Sequence, residues 1–200
     1  PFVSGKDSLN NEYLGTDGQR HAIPPTLLIS ALGIMDDVSK AITMDLKEAG
    51  NDIYVVGKFE PVFGGSHFGL VTGNVQGQVP TVHEITPKVY KTIHQAINSG
   101  LIRSAHDISE GGLAVAATEM CIGGRLGLDI TPPLTTRDLF GETTGCLLVE
   151  VSPANIVRFE ATFKDLPFKK LGQVITEPVL KLGENSIDVE DLTQAFNTPR

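Results

Sequence analysis

Two segments open in the same way: Thr86-Pro87 leads into "KVYKTIHQAINSG", and Ser152-Pro153 leads into "ANIVRFEATFKDL". A hydroxyl side chain followed by proline suits a helix start, because proline has no N–H to lose at the first helical position. Val89, Ile93, Ala96 and Ile97 then recur at helical spacing, and Gly100 closes the first pattern. A third helix is expected over "LAVAATEMCIGG" (113–124), and a closing amphipathic one over "VEDLTQAF" (189–196). Between them lie short apolar runs of strand character: "DIYVVGK" (52–58), "CLLVEV" (146–151), "FKKLGQVI" and "PVLKL". "TLLISALGI" (26–34) reads as a buried strand, residues 1–26 mainly as loop, and "FGGSHFGLVTG" (63–73) as a Gly-rich loop carrying His67. Alternating elements of these two periods predict a mixed α/β fold, an α+β arrangement of helices packed on a mixed sheet. "DDVSK" resembles a connector, so a domain boundary is expected near residues 35–40.

With 200 residues, 40% of them hydrophobic, the chain can bury a full-sized core. Its formal net charge of −8, without a Lys/Arg run, argues against a nucleic-acid or anionic-membrane surface. A small anionic ligand stays open, since backbone N–H groups and one metal ion can hold a phosphate locally. No apolar stretch approaches a membrane span, and no signal peptide opens the chain. Cys121 and Cys146 have no metal-type spacing and read as reduced thiols of a cytosolic core. The first residue is Pro1 rather than Met, which reads as an excerpt of a longer polypeptide.

Three polar loops could carry chemistry. In "SAHDISEGGLAVAATEM" (104–120) a strand runs into a polar Gly-Gly step and then a helix. Gly111 and Gly112 would let a phosphate approach the backbone at the helix N-terminus, and Asp107 or Glu110 could hold Mg²⁺. The plainer alternative is a turn in which Ser109 or Asp107 caps the helix. A His106–Asp107 dyad is not expected, because adjacent strand residues point to opposite faces. The second loop, "VSGKDSLNNE" (3–12), places Lys6, Asp7 and Ser8 beside Gly5, a set suited to phosphate, Mg²⁺ and a polar substrate or simply to solvent. The third, "LFGETTG" (139–145), offers Glu142 and two hydroxyls. No nucleophile–base pair accompanies them, so nucleotide handling fits better than hydrolysis by a triad.

These residues carry a resemblance. "PFVSGKDSLNNEY", "PPTLLISALGI", "GGSHFG", "SAHDISEGGLAVAATEM" and "LFGETTG" occur in the order found in the C-terminal part of synthetase subunits of the phosphoribosylformylglycinamidine synthase family. The similarity covers about residues 1–196. It implies an aminoimidazole ribonucleotide synthetase-like fold built from tandem two-domain units. Residues 1–37 would be the tail of a second N-terminal, barrel-forming domain, and 38–200 the second C-terminal α/β domain. The implied reaction is cytoplasmic and belongs to purine synthesis. ATP and Mg²⁺ activate formylglycinamide ribonucleotide, and ammonia from a glutaminase domain or subunit displaces phosphate.

By position, the resemblance puts Gly5 and Lys6 at ATP and its metal, where the small form of the enzyme has Asn in place of Lys6. It puts Asp7 and Asp107 at metal and Ser8 at the ribonucleotide. Glu142, Thr143 and Thr144 match a substrate-contacting trio, with Thr144 replacing the usual Gln. The family's catalytic His lies in the other half, so no catalytic residue is expected here and the chain alone is expected to be inactive. Two alternatives remain open at this point: a non-catalytic, nucleotide-stabilised scaffold domain, or another superfamily member such as a thiamine-monophosphate kinase.

Overall fold

The computed structural model of the protein describes Gly5 and residues 11–24, 28–74 and 76–198. The chain divides into two compact units, Pro1–Asp36 and Asp37–Arg200. In the first, β1 (Glu12–Leu14) and β2 (Arg20–Ala22) form an antiparallel hairpin where the sequence reads as loop. Asp17 closes its turn by accepting from the Gln19 amide and from the His21 ring. Residues 28–34 contradict the expected buried strand. They form no regular element, and Leu28 and Leu32 are 89% and 97% exposed. A strand needs a partner for its ladder, and none of the described strands pairs with this run.

The second unit carries a seven-stranded sheet. Its strands are β3 (Asp52–Val56), β4 (Ser104–Asp107), β5 (Gly127–Ile130), β6 (Leu147–Val151), β7 (Phe168–Ile175), β8 (Val179–Leu182) and β9 (Asn185–Asp188). They lie in the order β4-β6-β3-β7-β5-β8-β9, antiparallel throughout except for the parallel pair β5–β8. The helices are α1 (His67–Thr72), α2 (Thr86–Asn98), α3 (Gly112–Gly124), α4 (Thr136–Phe140), α5 (Ile156–Phe163) and α6 (Val189–Asn197). The expected class, helices packed on a mixed sheet, is what the protein has.

The period-2 alternation of β3 explains the layering. Ile53 and Val55 enter one core with Leu113, Ala117, Met120 and Cys121 of α3 and Val189 of α6. Tyr54 and Val56 enter a second core with Val89, Ile93 and Ala96 of α2 and Phe159 and Phe163 of α5. With both faces covered, all five residues of β3 are buried, and the strand reads as an apolar run after Asp52. Helix α2 has one buried stripe, as its spacing predicts, whereas α3 is apolar almost all round and sits deep.

Local details differ from the sequence reading where partners decide. Thr86 is the first residue of α2 rather than its cap, and the Ser152-Pro153 start forms a short 3₁₀ turn, Pro153–Asn155, before α5. The supposed loop 63–73 contains α1, capped by the Ser66 side chain on the Gly69 amide and ended by Gly73 in the left-handed region. Both cysteines are free and buried, and burial pushes their thiols up to about 12 for Cys121 and about 11 for Cys146. They are packing residues. No helix among the described residues is long and apolar enough to cross a membrane.

Candidate functional site

Strand β4 is an edge strand, hydrogen-bonded to β6 on one side, and it delivers residues 104–112 to the rim of the sheet. At its end the chain must reverse into α3, and two consecutive glycines make the reversal. Gly111 and Gly112 have φ of 79° and 74°, in the left-handed region that side chains disfavour. Contacts impose the same choice. A Cβ on Gly112 would stand 2.5 Å from the Gly141 carbonyl oxygen, and one on Gly111 would stand 2.4 Å from Val115 Cγ2. No side chain caps α3, so the Ser109 or Asp107 cap considered from the sequence does not form. The Gly112 amide instead donates to the Ser109 carbonyl, at 3.1 Å.

Glu142 ties this loop to its surroundings. Its backbone bridges Val62 in both directions, which holds residues 62–67 against 142. Its side chain is 16% exposed, and a single oxygen, Oε1, accepts from the Gly111 amide at 3.0 Å and the His67 amide at 2.8 Å. The His67 ring lies beside the same oxygen, with Nδ1 at 3.5 Å. Stacked rings support the assembly: Phe63 lies 4.5 Å from Phe68, which lies 5.9 Å from Phe140. The Gly111 N–H that could have met a phosphate is therefore satisfied by a carboxylate of the chain itself.

Asp107, at the tip of β4, has a side chain 67% exposed. Partial burial opposes its ionisation, but a hydrogen bond from the Ser109 side chain, its own backbone and the neighbouring His106 outweigh that and hold its carboxyl below the usual range. His106 Nδ1 stands 3.3 Å from Asp107 Oδ1, so these adjacent residues do meet. Alternation separates Cβ directions, but the strand ends at Asp107 and the last side chain can turn back. The other ring nitrogen, Nε2, lies 2.7 Å from Glu119 Oε2 on α3. Glu119 escaped sequence reasoning, although it is the single charged residue in 113–124.

The remaining site residues are dispersed. Thr143 is buried with its hydroxyl 3.9 Å from Cys146 Sγ, and Thr144 donates to the Thr81 carbonyl. Gly5 is exposed, whereas Lys6, Asp7 and Ser8 lie outside the described residues. Among the described residues, no three His, Cys, Asp or Glu side chains form a metal-binding group. A lone exposed carboxylate is nonetheless the donor set that Mg²⁺ takes when phosphates and water complete its shell. The two best-formed clefts, about 340 and 210 Å³, flank Pro133 and Leu134 and include none of the residues 104–112.

Residues 48–184 match the family described as AIR synthase related protein, C-terminal domain. The chain belongs to that family. It is 36% identical over 192 residues to the phosphoribosylformylglycinamidine synthase subunit PurL of Leuconostoc mesenteroides, covering 95% of this chain and 25% of the relative. It thus spans about a quarter of the curated relatives it matches. Structures of PurL from Thermotoga maritima share the fold over 78% of this chain, at 18–19% identity. The FGAR complex has a TM-score of 0.66 over 30% of that chain, the ATP complex 0.59 over 27%, and the PurLQS structure 0.60 over 28%. The family read from the five quoted motifs is borne out.

Proposed function

We propose that this chain is the nucleotide-facing C-terminal domain of an ATP-dependent carbon–nitrogen ligase that converts formylglycinamide ribonucleotide to formylglycinamidine ribonucleotide, with ammonia from a glutaminase partner. The observation that carries the reading is the exposed Asp107 at the tip of an edge strand, held by His106 and Ser109 beside the Gly-Gly entry to α3. It is supported by 36% identity to a PurL subunit and by a likeness in fold to PurL complexed with FGAR and with ATP. In this reading Asp107 takes the Mg²⁺ that accompanies the nucleotide phosphates, and Asp7, Lys6 and Gly5 serve the same ligand class from the first unit. Bound Mg²⁺ would neutralise phosphate charge, so the chain's own contribution is positioning and electrostatics. Glu142 organises the loop in this structure, and its proposed contact with the ribonucleotide, like those of Thr143 and Thr144, requires these three side chains to exchange partners, with Ser8 proposed to contact the same substrate.

One observation favours a second reading. The Gly111 amide and the Thr144 hydroxyl already have partners within the chain, which suits a scaffold domain whose nucleotide is held without turnover. Calorimetric titration of the chain with Mg·ATP tests Asp107, and measurements on the whole enzyme separate the two readings. Asp107→Asn is expected to weaken binding about tenfold or more, the scale of losing a charged contact. Equal affinity in wild type and variant would remove Asp107 from the site. In the whole enzyme, a large fall in turnover at unchanged melting temperature marks a catalytic site. A lower melting temperature of the Mg·ATP-bound enzyme with unchanged turnover marks the scaffold.

A further inference from the structure

Glu119 projects from α3 toward β4 and, among the described residues, its carboxylate meets the side chain of His106 alone, at 2.7 Å. His106 is 15% exposed and lies between Glu119 Oε2 and Asp107 Oδ1. The three side chains make a continuous run of contacts from α3 to Asp107, whose side chain is 67% exposed. A histidine ring free to turn about its χ angles could not support Asp107 in one orientation. A ring anchored at Nε2 can, because fixing one nitrogen fixes where the other points. The Ser109 side chain also donates to Asp107.

We propose that Glu119 is a positioning residue for magnesium–nucleotide binding: it locks the His106 ring, and the ring holds Asp107 Oδ1 so that the other oxygen faces the ligand. The inference rests on the assignment of Asp107 under the proposed function. Its logic is that of outer groups that orient metal ligands, whose loss weakens metal affinity by about tenfold to a hundredfold. Glu119 touches neither metal nor nucleotide. Its placement in an otherwise uncharged helix then has a reason, since a partly buried carboxylate without a task would weaken the packing of α3.

The test is calorimetric titration of the 200-residue chain with Mg·ATP, and with ATP in EDTA, together with melting temperatures of each unliganded variant. Glu119→Ala should weaken Mg·ATP binding about tenfold and leave metal-free ATP binding unchanged. Glu119→Gln keeps an acceptor for His106 and should stay within about threefold of wild type. Glu119→Asp withdraws the carboxylate by one methylene and should fall between them, which preserves the test if the alanine variant fails to fold. In the Asp107→Asn background, Glu119→Asp should have no further effect, because the two act in series. A loss that persists in EDTA, or that adds fully to Asp107→Asn, overturns the inference and makes Glu119 a packing residue. Absence of magnesium-dependent binding in the wild type overturns the proposed function and this inference together. Wild-type binding that Asp107→Asn weakens and Glu119→Asp does not would overturn the inference alone.

Discussion

Glu150 and Glu142 do the same chemistry in two regions of the molecule, and the difference between them separates scaffold from site. Glu150, on β6, is fully buried and accepts four hydrogen bonds: from the Lys47 and Glu48 amides, Asn51 Nδ2 and Ser104 Oγ. Both oxygens are used, and all four donors are uncharged. Glu142 accepts two amides through one oxygen and remains partly open to solvent. A carboxylate whose acceptor capacity is filled from within can only hold the fold. One with an oxygen to spare, on a rim joined to Gly111, can change partners when a ligand arrives. The proposed site lies where hydrogen-bonding capacity is left over.

The largest expected effect is at the closed region. Glu150→Ala strands four donors in the interior and should destabilise the chain by about 4 kcal/mol, lowering the melting temperature by about 8–16 °C. Glu150→Gln keeps one acceptor oxygen and should lose roughly half as much. A wild-type melting curve for the alanine variant would break the contrast, since Glu150 would then be as replaceable as a surface residue.

Gly112→Ala probes the support beneath the open region. A left-handed backbone and a 2.5 Å approach to the Gly141 oxygen should together destabilise by about 2–3 kcal/mol, read by chemical denaturation. Glu142→Ala should lose only about 1–2 kcal/mol, because solvent can reach the amides it releases. Its signature is local: hydrogen exchange at Gly111 and His67 should accelerate while β3 and β6 keep their protection. If β3 exchanged faster as well, Glu142 would be part of the same closed scaffold as Glu150.

The smallest effect comes from the thiols. Cys121 and Cys146 titrate near 9 when unfolded and are raised to about 12 and about 11 in the fold. Raised values stabilise fully below pH 9, and that stability is lost as the pH climbs toward 11–12, where the unfolded chain binds fewer protons than the native one. Neither thiol should react with a disulfide reagent at pH 8 until the chain unfolds, which absorbance of the released thiolate would record.

Elements whose signal lies within their own residues were legible. Helix α2 carries its stripe, its proline and its closing glycine within 15 residues, and β3, β6 and β7 declare themselves as apolar or alternating runs. The Gly-Gly entry to α3 was also readable, because a strand-to-helix reversal has local chemistry, whereas the exposure of Asp107 was not. The short helix α1 was hidden among glycines. Strand β5, four residues with Asp129 at its centre, exists through its pairing with β7 and β8 rather than through composition. The apolar run 28–34 shows the opposite error: its residues favour a strand, but no described strand offers it a ladder.

By itself the sequence determined the class of the fold, the family and the loop on which to look, since hydrophobic period, capping chemistry and motif order are properties of neighbouring residues. Tertiary structure alone decided what each polar residue does there. Glu150 sits in a strand whose other four residues are apolar, and its donors come from residues 47, 48, 51 and 104. Glu142 meets His67 from 75 positions away, and Glu119 meets His106 only because α3 packs back against β4. A carboxylate has no role until something donates to it, and its donors are assembled by packing, at distances that no local pattern encodes.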